Sequence, residues 1–402
     1  MRTRVFCLAF AAVLVMATAA TAQMQHRHSD KNRCADASIA CATKVTPYFA
    51  PDGSLWVAWM AGGHVSVARS TDFGASFSPP QVVNPEPMQL DWGPDARPNI
   101  VVDRLGRVHV AFAWFKDQSF NGQVVHAVSE GISRPFAPLH AMTADPESQR
   151  FVAQALDTDG SLFVAWLDKR NRARVRDGEK YIGAGLAFSW SSDGGQTFAE
   201  SKIAHDNTCE CCRLGVTITA GKPVVVFRNV FDRTTRDHAV MTFTDPQTPG
   251  PVRRVSVDEW KTDACPHHGP SLSVAPDGTY HVTWFTNGDR RQGLFYAFSK
   301  DQGATFSLPM RVGRHDLGAA HAYVLAYRDR LWMTWKEFDG DDTVAKVMLS
   351  RDGGRAWSAP RVVARAKDNS DHPLLVSDGH RTFLSWMAQV EGYRMLSLEE
   401  TQ

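Results

Sequence analysis

The sequence predicts an all-β fold, a β-propeller of four-stranded blades, with seven blades by count and six as the alternative. Three observations carry that expectation. An eight-residue pattern, S-x-D-x-G-x-x-F/W, occurs four times, at 70–77, 191–198, 299–306 and 350–357. Each copy sits in a unit of about 50 residues, the period of propeller blades. Each unit also holds a short apolar run that ends near Trp or Phe and is bounded by turn residues, as a strand should be.

Taken from the N-terminus, Arg2 and Arg4 precede an apolar run over 5–19, and Ala20-Thr21-Ala22 supplies small residues before Gln23. That is the three-part pattern of a secretory signal peptide, expected over 1–22. Cys7 lies inside it, too early for a lipoprotein cleavage site. A polar tail, 23–33, carries His26 and His28, and a single propeller domain is expected over 34–402. No later run is apolar and long enough to cross a membrane. The expected location is the periplasm or the medium. Lys and Arg number 44 against 43 Asp and Glu, interspersed along the chain. That balance offers no footprint for nucleic acid and no polybasic membrane patch.

Second strands are read at 55–59, 108–114, 162–166, 223–227, 280–284, 331–335 and 382–386. Third strands follow at 64–70, 124–129, 185–191, 239–244, 294–299, 345–350 and 393–398. In the eight-residue turn between third and fourth strands, Asp caps backbone N–H groups and Gly supplies a left-handed position. The closing aromatic is expected to tuck under its own hairpin. Fourth strands number six, the last near 361–363, and the chain ends before a seventh. An open edge would be left unpaired, so the segment between Cys34 and Thr43 is expected to close the ring. The units at Val124 and Ala239 lack the eight-residue turn and are the weakest. No linker rich in Pro, Gly or Ser divides the chain.

The four turns resemble the Asp-boxes of the bacterial neuraminidase repeat proteins, the sialidase-like superfamily. The resemblance covers most of the chain beyond residue 22. It implies the fold more than an activity, because such turns also occur in propellers that are not sialidases. Sialidases grip a carboxylate with three arginines and use a Tyr–Glu nucleophile pair and an acidic Asp. Their first arginine lies at the start of blade one, where this chain reads Thr43-Lys44-Val45-Thr46-Pro47. A lysine does not copy the two-pronged grip of a guanidinium. Arg97, Arg150, Arg213 and Arg228 are the arginine candidates, and Tyr323 and Tyr393 the phenols.

Propeller sites form where the chain leads into each blade's first strand. The residues there are Lys44 in blade one, Asp91, Asp95 and Arg97 in blade two, and Gln149 and Arg150 in blade three. Blade four has Cys209-Glu210-Cys211-Cys212-Arg213, and blade five has Asp263, Cys265, His267 and His268. Blade six has His321, and blade seven has Asp371 and His372. Thiols and imidazoles therefore gather in neighbouring blades, a donor set that suits copper(I) or zinc(II). The same cysteines in an exported chain also read as disulfides: Cys34 with Cys41, and Cys209 or Cys212 with Cys265. Vicinal Cys211 and Cys212 form a strained ring if paired together. Arg228-Asn229 and Arg236-Asp237 read as an ion-pair network. The acidic stretch 336–342 reads as a solvated loop, with calcium as the alternative, since EF-hand spacing is missing.

Three functions follow. The first is an exported propeller binding a soft metal or a ligand through Cys209, Cys211, Cys212, Cys265, His267 and His268. The second is a glycoside hydrolase of the exo-α-sialidase type using Arg97, Arg150, Arg213 and Asp263. In that case Asp91, Asp95, Asp263 and Asp371 would supply acid–base carboxylates. The third is an interaction scaffold braced by disulfides. The expected partners are a metal ion, a small molecule or a glycan.

Overall fold

Seven antiparallel sheets form a ring, six of four strands and the last of three. A computed structural model describes residues 36–172 and 182–398. The signal-peptide reading, the tail with His26 and His28, and Cys34 all lie outside the described residues. The first strands are Lys44–Phe49, Asn99–Val102, Gln149–Leu156, Gly215–Thr219, Ser271–Val274, Ala320–Tyr327 and Leu374–Ser377. Each lies beside the next, and the seventh returns to the first. The second strands are Leu55–Ala61, Val108–Phe115, Leu162–Asp168, Lys222–Arg228, Tyr280–Asn287, Arg330–Phe338 and Thr382–Ala388. Both these and the seven third strands form where the Trp and turn spacing put them, so the count is seven. No helix among the described residues is long and apolar enough to cross a membrane.

The core is not one mass. It is seven apolar seams, each shared by two neighbouring blades. This is the economy of a propeller, in which every sheet face is covered by the next sheet. Most of the buried Trp side chains of the second strands anchor the seams through their indole N–H groups. Trp166 donates to Asp168 (2.9 Å), Trp284 to Asp258 (2.7 Å) and Trp335 to Glu337 (2.9 Å).

The four S-x-D-x-G-x-x-F/W turns share one hydrogen-bond pattern. In the first, Gly74 N–H donates to Ser70 Oγ (2.8 Å) and Ser76 N–H donates to Asp72 Oδ1 (2.9 Å). The terminal aromatic differs from expectation. It does not fold under its own hairpin but packs on the preceding blade. Phe77 meets Tyr393 of blade seven at 6.0 Å, Phe198 meets His126 of blade two at 4.9 Å, and Trp357 meets Tyr296 of blade five at 5.1 Å. The apolar ring gains more by filling a seam than by covering a hairpin that is already hydrogen-bonded.

Ring closure also differs from expectation. Among the described residues, the segment before blade one adds no fourth strand to blade seven. Ile39–Cys41 is a single 3-10 turn, and Ile39 and Cys41 pack with Trp59, Met387 and Tyr393. The Trp59 indole donates to Ala37 O at 2.9 Å. Among the described residues the edge of blade seven is thus covered by an apolar staple rather than paired. Cys41 is disulfide-bonded.

Candidate functional site

Two clusters occupy the end of the ring where the chain leads into the first strands. One is built of thiols and the other of histidines and ion pairs.

The thiol cluster follows directly on the last strand of blade three, Lys202–Thr208. Cys209, Cys211 and Cys212 are each 1–2 % exposed and belong to the seam of blades three and four. Cys209 Sγ lies 3.6 Å from Cys211 Sγ and 3.9 Å from Cys212 Sγ, and all three sulfurs lie within 4.8 Å of one another. These three and Cys265 are free thiols, not the expected disulfides. Cys265 is exposed, on the loop between blades four and five.

Two arginines face these sulfurs. Arg236 donates to Cys209 Sγ at 3.4 Å, and Arg228 donates to Cys209 Sγ at 3.8 Å and to Cys212 Sγ at 3.9 Å. The Arg228 guanidinium also stacks 3.8 Å over Trp260. This corrects the expected ion-pair network. Asp237 is taken by Arg254 and by the backbone N–H groups of Asp258, Glu259 and Trp260, which leaves both arginines to the thiols. Hydrogen bonds from Cys211 and Cys212, then the charges of Arg228 and Arg236, pull the Cys209 thiol well below its ordinary range. The same bonds to Cys209 push the thiols of Cys211 and Cys212 up. The hydrogen bond from Cys211 brings Cys265 down to about 7.

The second cluster lines the channel. His268, His321 and His372 form a stack, with ring centroids 4.9 and 3.7 Å apart. Arg213 Nη1 donates to His372 Nδ1 at 2.9 Å. A guanidinium only donates, so Nδ1 of His372 is the acceptor and its proton sits on Nε2. Burial, reinforced by neighbouring cations, keeps all three rings neutral. His268 is pushed down to about 3, and His321 and His372 fall well below the usual range. His321 occupies a bulge, where it and Ala322 oppose Trp335 alone, at φ 55°. Phe151, next to Arg150, repeats that bulge in blade three at φ 56°. Two non-glycine residues held left-handed at one end of the ring are a sign of positioned side chains.

The three arginines expected for a hydrolase each meet a carboxylate of the chain itself. Arg97 pairs with Asp371 (2.8 Å), Arg150 grips Asp91 with two nitrogens (2.7 and 2.8 Å), and Arg213 pairs with Asp95 (3.4 Å). Lys44 adds a second cation to Asp371 at 3.3 Å. Asp91, Asp95 and Asp371 are buried, whereas Asp263 is exposed. Arg228 belongs to the thiol cluster. Tyr323 is half-buried within the field of Arg213 and Arg97, but Tyr393 sits in the seam of blades seven and one, bonded to Ser385 at 3.0 Å.

Lys336 was read from sequence only as part of an acidic loop. Its Nζ donates to Ser370 O at 2.8 Å and Asp371 O at 3.5 Å. Burial, then repulsion by Lys44, lowers it to about 8. The acids beyond it are taken by protein partners, Glu337 by Trp335 and Lys346, Asp339 by Arg365. Among the described residues, two donor groups are close enough to share an ion: Cys209, Cys211 and Cys212, and Asp95, His321 and His372. His267 and His268 belong to neither group.

No family model matches the chain, and no curated protein matches it in sequence. Solved structures do. An ulvan lyase of polysaccharide lyase family 25, bound to a GlcA(1-4)Rha3S unit, has a TM-score of 0.53 at 12% identity, covering 88% of this chain and 95% of that one. A further polysaccharide lyase has a TM-score of 0.54 at 11% identity, covering 86% and 88%. The intramolecular trans-sialidase from Ruminococcus gnavus is similar at a TM-score of 0.47 and 12% identity, covering 88% and 94%. At such identities the likeness is one of fold alone.

Proposed function

We propose that this chain is an exported seven-bladed propeller that binds one soft metal ion, copper(I) or zinc(II), through Cys209, Cys211 and Cys212. The spacing of the sulfurs carries the reading. Two thiolates on a tetrahedral zinc with Zn–S of about 2.3 Å stand about 3.8 Å apart. The Sγ separations of 3.6 and 3.9 Å match that, and a disulfide would need about 2 Å. Arg228 and Arg236 offset the negative charge that three thiolates bring into a buried seam. Cys265, His267 and His268 stand on the adjoining loop. Export rests on residues 1–22.

The test uses protein purified from the periplasm without chelators. Copper and zinc are measured by mass spectrometry and free thiols by titration on the same sample. The expected result is about one equivalent of metal, lost in Cys209→Ser and in the Cys211→Ser/Cys212→Ser double variant. Metal-free protein that takes up neither ion on reconstitution would sink the reading.

A second reading concerns the channel. Lys44, Arg97, Arg150, Arg213 and Lys336 face Asp91, Asp95 and Asp371, with the histidines neutral. That surplus of positive charge favours an anionic ligand such as a uronate-bearing glycan. Since each arginine already holds an aspartate, Lys336 is the cation available to it. Loss of glycan binding in Lys336→Met, by calorimetry, tests this. Equal binding by the variant removes it.

A further inference from the structure

We propose that Arg228 and Arg236 set the valence of the ion held by Cys209, Cys211 and Cys212: two guanidinium charges against three sulfurs select monovalent copper(I) over divalent zinc(II). This rests on the soft-metal reading above and names both the ion and the two residues that choose it.

Charge balance favours the monovalent ion. The three cysteines are each at most 2 % exposed, and their sulfurs lie within 4.8 Å of one another. Buried charge is tolerated only where it is nearly cancelled. A metal binds the thiolate form, so the three thiols release their protons to solvent as the ion enters. Three thiolates with copper(I) leave two negative charges, and with zinc(II) they leave one. Arg236 donates to Cys209 Sγ at 3.4 Å, and Arg228 donates to Cys209 Sγ at 3.8 Å and to Cys212 Sγ at 3.9 Å. A guanidinium does not give up its proton in a protein, so this pair supplies two positive charges at any working pH. The copper(I) site is then neutral. Zinc(II) would leave one positive charge uncancelled in an apolar seam.

The neighbouring acids do not alter the count. Glu210, inside the cysteine run, is paired with Lys169. Asp237, next to Arg236 in the chain, is paired with Arg254. Arg228 is also held in place, because its Nε donates to Arg236 O at 2.9 Å and its guanidinium stacks 3.8 Å over Trp260.

Coordination number points the same way. Among the described residues, no fourth Cys, His, Asp or Glu offers an atom within 4.8 Å of all three sulfurs. Cys265 is exposed and stands outside this group. Structural zinc takes four ligands, and the burial of the trio keeps solvent from supplying the last one. Copper(I), softer and content with three thiolates, needs none.

The experiment compares the full-length mature wild type with Arg236→Gln and Arg236→Lys. Arg236 is the better position to change, since removing Arg228 would also uncover Trp260. Copper(I) affinity is measured without oxygen by competition with bathocuproine disulfonate, and zinc(II) affinity by competition with a zinc chelator at the same pH and salt. Circular dichroism checks the fold of each variant. A positive charge about 4 Å from the site attracts the copper(I) complex, with its two negative charges, more than the zinc(II) complex. Arg236→Gln is therefore expected to weaken copper(I) at least roughly tenfold more than zinc(II). Arg236→Lys, which keeps the charge, should restore most of that difference. X-ray absorption of the copper(I)-loaded wild type should count three sulfur ligands. Equal weakening of both ions by Arg236→Gln, or no recovery in Arg236→Lys, would show that the arginine acts by packing and not by charge. Wild type that holds zinc(II) but not copper(I) would show that the valence is set otherwise. Each of these overturns the proposal and leaves the soft-metal reading standing. Wild type that binds neither ion overturns that reading itself, so the two failures are told apart.

Discussion

Asp371→Asn should be among the most damaging single substitutions in the ring. The Asp371 side chain is 1% exposed and joins three blades. It belongs to blade seven, accepts from Val45 N–H (3.2 Å) and Lys44 (3.3 Å) of blade one, and from Arg97 (2.8 Å) leading into blade two. Among the described residues blade seven has three strands, so this carboxylate does part of the closing that a fourth strand would do. Burial alone would raise its pKa, but Arg97 and then Lys44 outweigh that and hold it below the usual value. The asparagine keeps the shape and removes the charge. Arg97, Lys44 and the adjacent Lys336 would then be left buried without their counter-ion. Breaking a buried pair in this way costs about 3–5 kcal/mol. In a domain of this size that is a fall in Tm of about 5 °C or more, with a matching fall in the urea midpoint at unchanged slope. The control is Asp316→Asn, which removes a surface pair with Arg314 whose side chains are 63% and 65% exposed and should change nothing measurable. Hydrogen exchange should speed first at the seam of blades seven and one. If Asp371→Asn unfolds together with the control, the ring is not closed by this ion cluster and the reasoning fails.

Other outcomes follow from the same geometry. Gly353 and Gly354 are both left-handed, yet a Cβ on Gly353 meets open space while one on Gly354 overlaps the Tyr296 hydroxyl. Gly353→Ala should cost about 1–2 kcal/mol of backbone strain, and Gly354→Ala about 2 kcal/mol more by urea unfolding; equal costs would remove the claim that the turn grips the preceding blade. His281, buried and bonded to Tyr296 Oη at 2.8 Å, is lowered to about 4 by burial. The unfolded chain therefore binds the proton first, and stability should fall as pH drops from the ordinary histidine value of about 6.5 to about 4, by about 3 kcal/mol from this group. His281→Gln should flatten that window in denaturant titrations, and an unchanged slope would show that this ring is not the titrating group. The Asp371 contribution has the same sign but acts lower. It is complete above the ordinary carboxylate value and is lost only as pH falls through the depressed one.

Local chemistry made most of the architecture legible. A Ser-x-Asp-x-Gly turn closes on itself within a few residues, so its four copies could be read without knowing what surrounds them. Trp near the end of a second strand marks a seam for the same reason, since one large apolar side chain must be covered by the next sheet. The gathering of cysteines before blade four, and of cysteine and histidines before blade five, was likewise visible as spacing. Where each turn's aromatic goes was not visible, because the pattern is identical whether the ring caps its own hairpin or fills the seam behind it.

The sequence by itself determined the class of fold, the number of blades and the soft character of the donors, because turn caps, strand alternation and side-chain chemistry act over a few residues. The tertiary structure alone decided which donors meet. Arg213 reaches His372 across 159 positions and Arg97 reaches Asp371 across 274, partnerships that exist only once the ring is closed. The same closure turned the expected catalytic arginines inward to aspartates, set Arg228 and Arg236 against the sulfurs, and sent the imidazoles of His268, His321 and His372 to the channel. Charges taken from water must find partners wherever the fold has left them, and no local pattern in the chain records where that will be.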